Sequence, residues 1–559
     1  MKWRYSFVFI FLVVLFLSVI MRLFYWQVVK AEMLSELAQF QYNGVIKVLP
    51  KRGEIKTSDG FSIAANKVSY LLFANPTEIK DKPQFAKILS PLLDVSVASI
   101  SSQLIPDKLW VPVKSGITAS RKDEIEKMNI PGIGFEEHFT RFYPEASTAA
   151  HLLGFVGKGD AGQDKGYVGL EGFYDRLLRG KEGYGIELRD ALGRPILSKR
   201  IDKISGSNGG NLILSLDRSV QFLVEERLKA GIERYGASGG MVGIMDPKTG
   251  NIIAMAANPS FSSQKYWEYE EILYRNPFIS DSYEPGSTLK PIVMASALDA
   301  GLITPQTICD ICDKPVFVSG YELHTWNDKY YKNTNMIDVI RHSDNTGMVF
   351  VAQKLGVDRM ISYLTRFGIG SMTDIDLQGE TSPPLKPRSA WYDVDLATTG
   401  FGQGISVTPI ELLTAFSALA NNGIMMQPRV VTAFENENGE ITRIPVKVKA
   451  NPISEKAARI MSEILVNAVD KGEAQWAKLK GYRVAGKTGT ASIPVAGHYD
   501  PSKTITSFIG FAPAQDPKFI MLVILNKPTT SIYAADTAAP LFFGVARDLL
   551  SYYGIPPSE

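Results

Sequence analysis

The sequence predicts an α/β chain of the α+β kind: an N-terminal transmembrane helix, an elongated mixed α/β region, and a five-stranded antiparallel sheet flanked by helices. Three observations predict it. An uncharged apolar run opens the chain, short strands and turns fill the stretch to about residue 235, and five strand-like runs then bracket a long block of helix-like sequence.

The run Tyr5 to Met21 holds 17 residues without a charge. That is about 26 Å of helix, at the short end of what spans a bilayer. Tyr25 and Trp26 add an interfacial anchor, and no small-x-small cleavage site follows, so the reading is an uncleaved anchor. Lys2 and Arg4 should stay in the cytoplasm, which puts everything after about residue 25 outside it, on a single-pass protein of the cytoplasmic (inner) membrane. The expected division is 1–24 for the stub and membrane helix, 25–235 for a pedestal and 236–559 for a catalytic domain.

Within the second part, Gln27 to Tyr42 is helix-like, and short strands and turns follow from Lys51. Gly157-x-Gly159-x-x-Gly162 formally matches a dinucleotide loop, but Gln163-Asp164-Lys165-Gly166 starts no apolar helix, so it reads as a turn. A strand at Asn211 to Asp217 and a helix at Gln221 to Leu228 lead into the third part. There, Met241 to Met245 and Asn251 to Ala256 form a hairpin closed at Lys248-Thr249-Gly250. Three more strands are expected at Arg483 to Ser492, Thr504 to Ala512 and Phe519 to Leu525. In the tail, Leu541, Phe542, Val545, Leu549 and Leu550 share one helical face that can cover the sheet.

Composition narrows the function. With 559 residues, 45% hydrophobic and 21% charged, the chain is globular and long enough for two or three domains. Its net charge of +2 comes from 60 basic and 58 acidic residues scattered throughout, which gives nucleic-acid binding no support. His138, His151, His324, His342 and His498 offer no metal pair and fit a Ser-His-Asp hydrolase poorly. Neither a metal nor a cofactor is expected. Cys309 and Cys312 read as plain thiols or a local disulfide, with zinc beside His324 and an aspartate, or a thioredoxin-like role, as the alternatives.

The chemistry gathers around Tyr283-Glu284-Pro285-Gly286-Ser287-Thr288-Leu289-Lys290-Pro291. Pro285 and Gly286 break what precedes, and the apolar run from Ile292 reads as a buried helix with Ser287 in its first turn. Ser287 and Lys290 are an i, i+3 pair, a nucleophile beside a base. At pH 7 only roughly one free lysine in two thousand is neutral, so the pair needs burial and a second cation to bring Lys290 to about 7–8. Ser343-Asp344-Asn345 falls between helix-like Asn335 to Arg341 and Thr346 to Leu355, and Lys487-Thr488-Gly489-Thr490 on an edge-like strand. Decoys exist: Ser262-Ser263-Gln264-Lys265 repeats the first spacing and Lys248-Thr249-Gly250 the third. The order of the three true motifs and their separations of 56 and 144 residues are what is specific.

The trio S-x-x-K, S-D-N and K-T-G resembles the class B penicillin-binding proteins. Phe401-Gly402-Gln403-Gly404-Ile405-Ser406-Val407-Thr408-Pro409 is also similar to a family segment. So are Arg52-Gly53-x-Ile55, Arg141-Phe142-Tyr143-Pro144, His151 to Gly157 and Gly169-Leu170-Glu171 in the pedestal, although Thr57-Ser58-Asp59-Gly60 departs from the family's Asp-Arg-Asn-Gly. The resemblance implies a serine transpeptidase and β-lactamase-like fold over about residues 236 to 555. It implies Ser287, Lys290 and Ser343 as catalytic, and Asn345, Lys487, Thr488, Gly489 and Thr490 as substrate-binding. It implies peptidoglycan stem peptides ending in D-Ala-D-Ala as substrate, β-lactams as covalent inhibitors, and a SEDS-type glycosyltransferase as membrane partner. Nothing before residue 235 resembles a glycosyltransferase domain. The alternatives are a D,D-carboxypeptidase or β-lactamase with water as acceptor, a sensor that acylates in order to signal, and a structural activator of a membrane polymerase.

Overall fold

A computed structural model describes residues 2–557, apart from 49, 107, 109, 161, 189–200, 205, 496 and 497. The first helix, α1 (Lys2–Phe24), continues through a π turn, Tyr25–Val29, to a second helix at Ala31–Tyr42. Its 28-residue span Lys2–Val29 is the one helix among the described residues long and apolar enough to cross a membrane, and none of that span is buried. Arg22 lies 5.2 Å over the Trp26 ring at its end.

The chain divides into two compact units that cut across the linear order. One comprises Met1–Arg52, Lys67–Thr140 and Gly180–Gly209, the other Gly53–Asn66, Arg141–Arg179 and Gly210–Glu559. In the first unit, Asn43–Val48, Gly183–Leu188 and Ile201–Ile204 make a three-stranded sheet. Residues 70–74 pair antiparallel with Val111–Ile117. The helices Lys82–Leu93, capped by Asp81, and Val97–Gln103, capped by Ser96, bury Phe85, Leu89, Leu93 and Ile100 beside Leu72 and Val113.

In the second unit the elements that matter follow in order. They are α2 (Arg218–Tyr235), β1 (Gly239–Met245), β2 (Ile252–Asn258), α3 (Lys290–Asp299), α4 (Met336–Arg341), α5 (Asn345–Leu355), α6 (Pro409–Ala420), α7 (Glu455–Lys471), β3 (Ala485–Val495), β4 (His498–Ala512), β5 (Phe519–Asn526) and α8 (Ala538–Tyr552). The five strands make the expected sheet in the order β2-β1-β5-β4-β3, antiparallel throughout. Side chains of a strand alternate between faces, and β5 shows why this one is apolar at nearly every position. Phe519, Met521, Val523 and Leu525 pack with Val224 of α2 and Phe542, Val545 and Leu549 of α8. Ile520, Leu522 and Ile524 face the other cluster, with Met294 of α3 and Phe416 of α6. Both faces are covered, so no polar face is needed.

The hairpin closes where expected: Gly250 N–H donates to Asp246 O at 2.9 Å, and Lys248 is a surface lysine paired with Asp516. Of the glycine trio, Gly157 lies in the strand Phe155–Lys158, while Gly159 and Gly162 belong to the turn toward Asp164–Tyr167, Gly162 N–H donating to Gly159 O at 2.8 Å. Helix α2 starts earlier than its apolar pattern suggests because Asp217 caps it, accepting from Ser219 and Val220 N–H, and it runs on to Gly236, whose left-handed φ of 60 ends it. Three pedestal segments that look like family motifs meet at one buried node. Arg141 Nε donates to Glu171 Oε1 at 2.6 Å and Arg141 Nη1 to Gly53 O at 2.7 Å. Cys309 and Cys312 are disulfide-bonded, which takes both sulfurs away from any metal, and no group of three or more metal-ligating side chains occurs among the described residues.

Candidate active site

Helix α3 is buried all round from Lys290 to Ala297, as a helix with no polar face must be. Its start differs from expectation. Pro291 has no N–H to offer and suits a helix's first turn, so α3 begins at Lys290 and Ser287 stands before it, in a separate 3₁₀ turn at Gly286–Thr288. Ser287 is half-buried, whereas Lys290 is 0% exposed.

The second motif occupies a joint between two helices. Ser343 ends α4 in the left-handed region, φ 55, where its N–H still reaches Ile340 O at 3.2 Å. Asp344 then caps α5, accepting from Gly347 N–H at 3.1 Å and Thr346 Oγ1 at 2.7 Å. Between these two fixed ends the Ser343 side chain is turned toward α3. Its Oγ donates to Ser287 Oγ at 3.0 Å. Lys290 Nζ donates to Ser343 O at 2.6 Å, to Ser343 Oγ at 3.3 Å and to Asn345 Oδ1 at 2.8 Å. Asn345 Nδ2 in turn donates to His324 O at 2.9 Å, which fixes its amide. The expected Ser287–Lys290 pairing is therefore made through Ser343, which touches both.

Strand β3 is the sheet's edge, as the third motif requires. Lys487 is 3% exposed, and its Nζ donates to Thr488 O at 3.1 Å and Thr488 Oγ1 at 3.0 Å. A Cβ on Gly489 would lie 2.5 Å from Ser507 Oγ and 2.6 Å from Thr288 Cγ2, so only glycine lets this edge lie against the nucleophile's turn. Thr490 Oγ1 accepts from Ala534 N–H at 3.1 Å, which leaves its own proton for a ligand. Burial, and next to it the positive charge of Lys487, bring Lys290 down to about 7, against the pull of Asp344 and Glu473. Burial also lowers Lys487, and Glu473 opposes that shift.

The structure thus brings Ser287, Lys290, Ser343 and Asn345 into one hydrogen-bonded chain and sets Lys487 to Thr490 beside it. The decoy Ser262 does not join them; it precedes a short 3₁₀ stretch, Ser263–Glu268. Sequence reasoning missed Glu473, which accepts from Thr488 Oγ1 at 3.1 Å, and the supporting role of the 401–409 segment. Gly286 N–H donates to Gly402 O at 3.0 Å, Gly404 N–H to Glu284 Oε1 at 3.1 Å, and Tyr283 and Val407 exchange two backbone bonds of 3.0 Å. Gly402 has φ +83, and a Cβ there would lie 2.0 Å from Gly286 O. Gly402→Ala should move the nucleophile's turn and slow acylation by a fluorescent penicillin by about 10²-fold, read as a second-order rate constant.

Residues 240–550 match the penicillin binding protein transpeptidase domain, and residues 47–214 the penicillin-binding protein dimerisation domain. Over its whole length the chain is 32% identical to stage V sporulation protein D of Bacillus subtilis, spanning 86% of that protein. Over 96% of its length it is 28% identical to the peptidoglycan D,D-transpeptidase FtsI of Escherichia coli, spanning 89% of it. Among solved structures, penicillin binding protein 2X of Streptococcus thermophilus is similar at 25% identity and a TM-score of 0.74, covering 92% of this chain and 81% of that one.

Proposed function

The chain belongs to the class B penicillin-binding proteins, and we propose how its own residues carry out the cross-linking of peptidoglycan. It is a serine D,D-transpeptidase that acts on stem peptides and is acylated by β-lactams. The observation that carries the assignment of roles is the chain of contacts from the fully buried Lys290 amine through the Ser343 hydroxyl to Ser287 Oγ.

In this reading Lys290, as the neutral amine, takes the Ser287 proton while Oγ attacks the carbonyl of the penultimate D-Ala. Backbone N–H groups of Ser287 and Thr490 hold the developing oxyanion. The proton passes through Ser343 to the nitrogen of the terminal D-Ala as the peptide bond breaks, leaving an ester on Ser287. An amine of a neighbouring strand attacks that ester, and its proton returns by way of Lys290 to Ser287. Asn345 orients the substrate amide. The ammonium of Lys487 and the hydroxyl of Thr490 bind the terminal carboxylate, Thr488 completes that end of the site, and Gly489 lets the peptide backbone pair with the edge strand. In a β-lactam the ring amide occupies the place of the peptide bond, so the same ester forms and persists.

Residues 1–24 serve as stub and anchor, 25–235 as pedestal and 236–559 as the transferase. Lys2 and Arg4 face the cytoplasm, and the catalytic domain works outside the cytoplasmic membrane. The anchor and pedestal suit a partner in the same membrane, a SEDS-type glycosyltransferase that supplies glycan to be cross-linked.

The experiment that tests the function offers the full-length protein a donor peptide ending in D-Ala-D-Ala together with an acceptor amine. Free D-Ala and a cross-linked product are expected in equal amounts. Hydrolysed donor alone, with acceptor in excess, would replace transfer by carboxypeptidase action.

A further inference from the structure

The two lysines of the site are desolvated almost equally, at 0% exposure for Lys290 and 3% for Lys487, yet the reaction uses one as an amine and the other as an ammonium. Burial pushes both toward neutrality and cannot separate them. Their partners can. Lys290 Nζ meets only uncharged acceptors, Ser343 O, Ser343 Oγ and Asn345 Oδ1. Lys487 Nζ meets Thr488 Oγ1 at 3.0 Å, and that hydroxyl donates onward to Glu473 Oε2 at 3.1 Å. A hydroxyl has one proton, so giving it to the carboxylate turns the oxygen lone pairs toward the ammonium.

Glu473 follows the end of α7 at Gly472. Its other oxygen, Oε1, is buried without a hydrogen-bond partner among the described residues. Beside it lies a cavity of about 10 Å³ bounded by Arg341, Glu473, Lys487 and Thr488, about the room of one water molecule. A carboxylate with one oxygen so placed is costly to keep unless its charge serves something nearby.

We propose that Glu473 is a positioning residue for acyl transfer, holding Lys487 as an ammonium through the Thr488 hydroxyl so that Lys290 remains the neutral member of the pair. The proposal rests on the reading of Ser287 as nucleophile given above. The charged and titratable groups around the pair leave this task to Glu473. Asp344, on the cap of α5, and Glu473 both act on Lys290 and favour its charged form, so Glu473 serves the neutral amine through the charge it keeps on Lys487, which pushes the other way. Arg341 of α4 is paired with Asp338 at 2.9 Å. Burial and, after it, Arg341 lower His342, against Asp338, Asp344 and Glu473. Among the described residues, it is the charge of the Glu473 carboxylate that opposes the deprotonation of Lys487.

The test is the rate of acylation of the full-length protein by a fluorescent penicillin between pH 5 and 10, for wild type, Glu473→Gln and Glu473→Asp. Wild type should show an acidic limb from Lys290 and an alkaline limb from Lys487. In Glu473→Gln the alkaline limb should move down by about one pH unit, and Glu473→Asp should restore most of it. Glu473→Ala serves as second variant if the glutamine form does not fold, with the same shift expected. An alkaline limb that stays in place overturns the proposal, and so does a loss of rate equal at every pH, which is what packing alone would give. A wild type not acylated at Ser287 is a different result, and it removes the nucleophile assignment itself.

Discussion

Ser287→Ala is expected to abolish labelling by a fluorescent penicillin, a fall in acylation rate of at least ~10³-fold, while Ser262→Ala leaves labelling intact. The contrast is physical rather than positional. Both serines have a lysine three residues on. Lys290 is sealed inside the protein and lowered to about 7, so close to half of it is the neutral amine at neutral pH. Lys265 lies on the surface, ion-paired with Glu268 at 3.3 Å and away from the buried second lysine that Lys290 has beside it. Ser287 also has the hydroxyl of Ser343 at 3.0 Å and the edge strand beside it, and removing its oxygen leaves those groups with nothing to activate. Label that survived in Ser287→Ala and vanished in Ser262→Ala would reverse the assignment. Electrophoresis after a single saturating exposure separates the two outcomes.

What was legible in the sequence was what local pattern encodes. The five strands, the tail helix and the turn at Lys248 all announce themselves through apolar period and turn residues within a window of ten or so positions. The three motifs were legible because each sits on an element with its own signal: a breaker before a helix, a joint between helices, an edge strand. Contacts between distant segments were not. Nothing in Gly472-Glu473-Ala474 hints that this carboxylate meets Thr488, because the approach is made by α7 packing against β3. The 401–409 segment resembled its family without disclosing a task, which emerges only when Gly402 is found against the carbonyl of Gly286. The start of α3 was misplaced by one turn because the apolar run says where a buried helix lies, whereas Pro291 decides where it begins. The compact units depend on chain segments that return to another part of the fold, and no local composition shift marks such a return.

Acylation should rise with pH through about 7 and reach a plateau above about 8 that lasts until the alkaline limb of Lys487, because only the neutral form of Lys290 accepts the Ser287 proton. Each unit below that point protonates about ten times more of it, so the rate at pH 5 should be about 10²-fold lower than the plateau. Lys290→Arg, which cannot give up its proton, should show almost no acylation at any of these values. The same shift has a consequence for stability, and its sign is opposite to that of a salt-bridged carboxylate. Folded Lys290 titrates near 7 and unfolded lysine at the ordinary value of 10.5, so between the two the unfolded chain binds more protons. Stability therefore rises with pH across that window. Measured against Lys290→Met, the free energy of unfolding of the wild type should climb by about 1.4 kcal/mol per pH unit between 7.5 and 9.5, read from urea midpoints. Lys487, present in both proteins, cancels from the difference. A flat difference together with an acylation profile showing no group below about 9 would mean that Lys290 stays charged in the folded protein, and the proton of Ser287 would need another acceptor.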